Sequence, residues 1–268
     1  MFCESFCCIN CCRCLQTSSF SVNKRDKNIG FLLKSRTCGA LLLSPRMSGI
    51  NGGIDYSLDL SIFSPEIQER IKTLQKGVQT PRELIETTRR LADYPDNRIL
   101  PVLVDILGFN NPVAAKIAVK AIVDFGVISK GFLVKATGAF NYAVNAYALK
   151  ALGLLGCPDT LEVCLHHASQ GTVPNVRRAA IIAIGRLRHV ETELPGVVES
   201  LSAFLDQTDW SIRYAAIVST ESLLMQHSMQ RNNRIVMKLK EMASSDHDFL
   251  VRCRAELALR RVELKNVT

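Results

Sequence analysis

Apolar positions along this chain recur with the period of a helix face, and the same face is written more than once. Val144, Ala148, Ala151 and Leu155 are answered by Val176, Ala180, Ala183 and Leu187, 32 residues further on in every case. The spacing i, i+4, i+7, i+11 follows one side of a helix with 3.6 residues per turn. Gly153 and Gly185 coincide in the same alignment and predict close approach between neighbouring helices. Upstream, Asn111–Ile122 lies over Asn141–Leu152 at an offset of 30, matching Ala118 with Ala148, Lys120 with Lys150 and Ala121 with Ala151. Downstream, Ile212, Arg213 and Ala216 lie over Val176, Arg177 and Ala180 at 36, and Val251, Arg252 and Ala255 follow 39 further on.

Five copies at periods of 30 to 39 residues, each with room for two short helices, predict an all-α fold, a right-handed α-solenoid of HEAT or armadillo type. The expected units are 99–126, 128–156, 159–188, 194–226 and 233–264. Ahead of them, Ser64-Pro65-Glu66 opens a helix with Ser as N-cap, and Thr80-Pro81-Arg82-Glu83 opens a second with a capping box. This more highly charged pair is the expected end cap, so residues 54–268 form about six helix pairs. In such solenoids the second helix of each pair lines the inner surface, and its exposed side chains are the first place to seek a binding site.

Residues 1–53 differ in kind. They hold seven of the ten cysteines and seven Lys/Arg against two acids, which places +5 of the formal +8 there and leaves the repeats nearly neutral. That acid-poor, Arg- and Ser-bearing composition is expected of an organelle transit segment, with processing near Met47–Gly53. Metal binding or palmitoylation by Cys3, Cys7, Cys8, Cys11, Cys12 and Cys14 is the alternative, but the spacing lacks paired CxxC logic. No metal site is expected. A near-neutral body with one Trp argues against a nucleic-acid partner, and no apolar run is long enough for a membrane span. Three cysteines in the body, Cys157, Cys164 and Cys253, are too few for a disulfide framework.

The most regular polar feature is one arginine early in three second helices, Arg177, Arg213 and Arg252. Asp209 and Asp248 stand four residues before two of them, which fits helix caps whose carboxylates also pair with an arginine of the same or the adjacent repeat. An anion site is the alternative, since a guanidinium matches a carboxylate in a bidentate way. Arg178 has no counterpart in the other units and suits that role better. Tyr142, Tyr147, Trp210 and Tyr214 also break the repeat near helix starts, as core residues or as an apolar wall edged by cations. His166-His167 ends a first helix, where a capping role outweighs ligation. No nucleophile elbow, phosphate loop, HExxH or dinucleotide fingerprint is present, so no catalytic residue is assigned.

The blocks LVDILGFNNPVAAKIAVKAI (Leu103–Ile122), FNYAVNAYALKALGLLGCPDTLEV (Phe140–Val163), VPNVRRAAIIAIGRLR (Val173–Arg188) and DWSIRYAA (Asp209–Ala216) resemble the F-type subunit of the E/F family of phycobilin lyases. The resemblance spans about residues 65–262. It implies a HEAT-repeat protein that works with an E-type lyase subunit, joining a linear tetrapyrrole to a cysteine of an apo-phycobiliprotein subunit through a thioether. The phycobilin is then the substrate, and no cofactor is implied. On that reading Arg177, Arg178 and Arg213 are candidates for the bilin propionates, with Tyr142, Tyr147, Trp210 and Tyr214 packing the tetrapyrrole. F-type chains that also isomerise the bilin carry a His-Cys motif where this chain has Phe140-Asn141-Tyr142-Ala143, so attachment alone is expected. Asn145 departs from the arginine of the sister repeats and touches on which chromophore or subunit is served. With the leader, the resemblance implies import into the plastid stroma. A HEAT-repeat adaptor or chaperone for phycobiliproteins, or an antenna-turnover factor, is the alternative.

Overall fold

Side-chain caps set the helix starts. Asn111 accepts hydrogen bonds from the N–H groups of Val113 and Ala114 through Oδ1, and Asn141 accepts one from Ala143, each meeting donors that the first helical turn leaves free. Thr80 and Glu83 form the expected capping box, their bonds measuring 2.8 and 3.3 Å. Ser64 departs from expectation: Pro65 follows it as foreseen, but its hydroxyl makes no capping bond, so the rigid proline φ and Glu66 mark this start instead.

In the computed structural model, residues 58–77, 80–227 and 234–265 are described. The reading of residues 1–53 as a leader lies outside them. The described residues contain twelve α-helices and no strand: α1 Pro65–Lys76, α2 Pro81–Ala92, α3 Leu100–Ile106, α4 Pro112–Asp124, α5 Lys130–Ala136, α6 Tyr142–Leu155, α7 Leu161–Gln170, α8 Pro174–Ile184, α9 Leu194–Leu205, α10 Trp210–Gln226, α11 Arg234–Ser245 and α12 Phe249–Lys265. They fall into six consecutive pairs. Short 3-10 turns at Asn97–Ile99, Gly126–Ser129 and Pro158–Thr160 lead into α3, α5 and α7.

Each odd-numbered helix packs on the even-numbered helix that follows it, and the even-numbered helices pack on one another in series from α2 through α4, α6, α8 and α10 to α12. The second helices therefore form one continuous layer. The repeated apolar face is what they bury: Val144, Ala148, Ala151, Val176, Ala180, Ala183 and Leu187 are all core residues. Two apolar clusters result, one running from Phe63 to Leu152 and one from Leu149 to Ala258, and they meet within α6. Truncating a fully buried leucine in either, Leu103 or Leu149 for example, removes packing worth about 2–5 kcal/mol.

Two glycines fix how closely the layer is drawn together. A Cβ on Gly153 would fall 2.7 Å from Ala183 Cα, and one on Gly185 would fall 2.1 Å from the carbonyl oxygen of Ser219. Their alignment in sequence thus marks the contacts of α6 with α8 and of α8 with α10. Gln226 adds a tie at the second contact, donating from Nε2 to the Gly185 carbonyl at 2.7 Å.

Candidate functional site

With the apolar face turned inward, the side of α6, α8 and α10 left accessible repeats every four residues. On α6 it carries Tyr142, Ala146, Lys150 and Leu154; on α8 and the turn that closes it, Pro174, Arg178, Ile182 and Arg186; on α10, Trp210, Tyr214, Val218 and Ser222. These three series correspond by the sequence offsets of 32 and 36, so the same register runs across three adjoining helices. Tyr142 and Trp210 begin their helices in the first row, both with about half their surface exposed (54% and 45%). Arg178 and Tyr214 share the second row. Four of the seven candidate residues therefore lie on one accessible face.

Arg178 donates to Asn175 Oδ1 and is half-buried. Its charge also reaches the start of α10. The Asp209 carboxyl is held below its ordinary range first by its hydrogen bonds with Ser211 and, more weakly, by Arg178. Tyr214 lies beneath the Arg254 guanidinium, whose carbon is 6.0 Å from the ring centroid, a cation–π distance. The arrangement offers aromatic faces, a cation and an apolar floor, which together suit a conjugated ligand bearing carboxylates.

The other three candidates lie off this face. Tyr147 packs against the first apolar cluster. Arg177 donates from Nε to the Ala168 carbonyl at 3.0 Å, near the end of α7. Arg213 is the most heavily engaged, with Nε and Nη2 each 2.8 Å from the Asp246 carboxylate and Nη1 2.9 and 2.8 Å from the carbonyls of Gln207 and Thr208. Arg252 likewise donates to the carbonyls of Asp246 and His247. The recurring arginine therefore ties down the turn between the helices of its own repeat. The aspartates divide their work differently from expectation. Asp209 and Asp248 cap α10 and α12, whereas the carboxylate that pairs with an arginine of the preceding repeat is Asp246. Asn145, in the arginine's register, leaves its Oδ1 buried without a partner.

Sequence reasoning missed the other end of the face. Gly153, Leu154, Arg186, Glu221, Ser222, Met225 and Gln226 line an open cleft of about 380 Å³ where α6, α8 and α10 converge. Arg186 stands eight residues after Arg178, two turns along the same side, and that spacing was the available signal. The Glu221 carboxylate is already paired. Both it and Arg254 are only 9% exposed and form a buried pair, while Arg261 approaches the second carboxylate oxygen at 3.1 Å.

Among the described residues, no group of three or more His, Cys, Asp and Glu is placed to hold a metal, and no helix is long and apolar enough to cross a membrane. Cys164 is a core residue whose thiol burial pushes up to about 12, so it offers no thiolate. His167 packs edge-on against His166, and burial together with that neighbour lowers its pKa, opposing the cationic form expected of a helix end.

Residues 129–221 match a family model described as HEAT repeats. The phycocyanobilin lyase subunit beta of Nostoc sp. PCC 7120 is 34% identical over 186 residues, covering 67% of this chain and 92% of that protein. The subunit of the same name from Thermosynechococcus vestitus is 33% identical over 190 residues, or 68% and 89% of the two chains. A chain in the solved complex of CpcE and CpcF of phycocyanin lyase from Nostoc superposes with a TM-score of 0.55 at 35% identity, covering 61% of this chain and 99% of that one. The aligned region extends over nearly the whole of each relative, and the chain belongs to the family of phycocyanobilin lyase beta subunits, the F-type chains.

Proposed function

We propose that this protein is the F-type half of a heterodimeric bilin lyase that joins a linear tetrapyrrole to a cysteine of a phycobiliprotein subunit. The relation to the Nostoc lyase subunit across 92% of its length carries this reading. The solved relative is in complex with an E-type chain, and the same kind of partner is assigned here. The thiol that becomes the thioether belongs to the acceptor protein, so this chain's work is to hold and orient the chromophore. Holding a flexible ligand in one reactive pose removes much of the entropic part of a barrier.

The bilin lies along the accessible face of α6, α8 and α10. Tyr142 and Trp210 take the apolar conjugated system, Tyr214 extends that wall, and Arg178 receives a propionate. Arg177, Arg213 and Tyr147 act through the scaffold, by tying turns and filling the core. The chain attaches the bilin without isomerising it, since Phe140-Asn141-Tyr142-Ala143 supplies neither His nor Cys.

The test is co-expression of the full chain with an E-type partner, a bilin supply and individual apo-phycobiliprotein subunits, scoring covalent product by zinc-enhanced fluorescence on a gel. A covalent adduct that requires both lyase chains is expected. Arg178→Ala should slow transfer roughly tenfold with the helical circular dichroism unchanged, as befits loss of one charge-assisted contact. An undiminished adduct with this chain omitted would sink the proposal. The named relatives are cyanobacterial, whereas the composition of residues 1–53 extends this reading to a plastid stroma. A reporter fused to those residues should then accumulate in plastids, and a cytosolic reporter would refute that location.

A further inference from the structure

The cation at the far end of the face has no counter-ion. Among the described residues, neither Arg186 nor Lys150 has a carboxylate within ion-pair distance, whereas Arg70, Arg90, Lys120, Lys130 and Lys238 do. The two belong to adjoining helices that Gly153 brings together. Burial pushes the Lys150 pKa down, and the charges of Arg186 and Lys116 push it the same way. Lys150 on α6 is thus within electrostatic reach of Lys116 on α4 and of Arg186 beyond α8, and among the described residues none of the three has an ion-pair partner, Glu221 being already taken by Arg254 and Arg261. Such an arrangement raises the free energy of the empty protein and is relieved by an anion.

The surroundings narrow the anion. Leu154 and Met225 present exposed apolar walls to the cleft, and Ile182 and Val218 continue an apolar strip back towards Arg178 and Tyr214. On α8 and the turn that closes it the accessible series reads Arg178, Ile182, Arg186: cation, apolar, cation, with Arg186 two residues past the helix end. Its complement is a ligand with an apolar body and two carboxylates. A small inorganic anion would leave the apolar strip uncovered, and a purely apolar ligand would leave the cations unmet.

We propose that Arg186 and Lys150 form a second carboxylate subsite, taking one propionate of the linear tetrapyrrole while Arg178 takes the other. The inference rests on the bilin-lyase reading and deepens it. Two separated anchors fix the axis along which the tetrapyrrole lies on the helix layer. A single anchor would leave the chromophore free to pivot.

The experiment titrates bilin, as the free acid and as its dimethyl ester, into the complex of full-length chain and E-type partner, following the chromophore's absorbance. The free acid should bind the unaltered complex at least tenfold more tightly than the ester. Arg186→Gln combined with Lys150→Gln should weaken the free acid roughly tenfold and leave the ester unchanged, the lower range for charge-assisted contacts at half-exposed positions. The comparison of acid with ester in the unaltered complex needs no variant to fold. Three results overturn the subsite: equal affinity for acid and ester, an unchanged free-acid affinity in the double variant, or intact bilin binding with weakened capture of the apo-phycobiliprotein. The last would assign the cations to a protein carboxylate. An unaltered complex that neither binds nor transfers bilin would instead bring down the lyase reading itself.

Discussion

Asp246 illustrates how a single carboxylate can join two repeats. It lies in the turn between α11 and α12, is nearly buried, and receives both Nε and Nη2 of Arg213 from α10. Burial alone would raise its pKa, but Arg213 and the Asp248 N–H outweigh burial and hold it below the ordinary 3.8. A depressed carboxyl stabilises the fold at neutral pH, and that contribution is lost as pH falls below 3.8 and through the folded value. Asp246→Asn should therefore cost about 2–3 kcal/mol at pH 7, since it strands a partly buried guanidinium. Urea unfolding at a series of pH values should show the two proteins converging on the acid side. The arginine was legible because it recurs at 177, 213 and 252; its acid was not, because the partner comes from the next repeat's turn. Arg186 was overlooked for a related reason. Its meaning emerges only when Lys150, 36 residues earlier, is seen on the adjoining helix.

At the scale of elements, the buried face of the second helices was readable because it must repeat at 3.6 residues per turn. The first helices vary more from unit to unit. Three of them are entered through 3-10 turns, whose i to i+3 bonds leave no long apolar period in the sequence. The aligned glycines correctly marked two close contacts between neighbouring second helices. Gly185→Ala would drive a Cβ into the Ser219 backbone, and relief requires α8 and α10 to separate. A loss of about 3 kcal/mol is expected, or roughly 6–12 °C in melting temperature for a chain of this size. Gly131 in α5 has nothing within 4 Å of the corresponding point and no positive φ. Gly131→Ala should raise stability by about 0.5–1 kcal/mol. Parallel thermal melts distinguish a glycine required by packing from one that is merely tolerated.

On the scale of the whole described array, each helix pair touches mainly its neighbours, so energetic damage should spread only a short way. Glu221 provides the test. Among the described residues it is the only carboxylate that pairs with the buried Arg254, whose Nη1 already lacks a partner. Glu221→Gln should cost about 3 kcal/mol by leaving that charge uncompensated. Hydrogen exchange should quicken in α10, α11 and α12 while α2 and α4 keep their protection; uniform loss of protection would show the array to be a single cooperative block.

The meeting of the two apolar clusters inside α6 sets a limit to this local behaviour. Leu149 belongs to the cluster that continues to α12, whereas Ala148 beside it belongs to the cluster that begins at Phe63. One helix is thus a party wall, and neither neighbour can be rebuilt without its consent. A lesion in α2 or α12 has somewhere to stop, but a lesion in α6 opens both rooms at once.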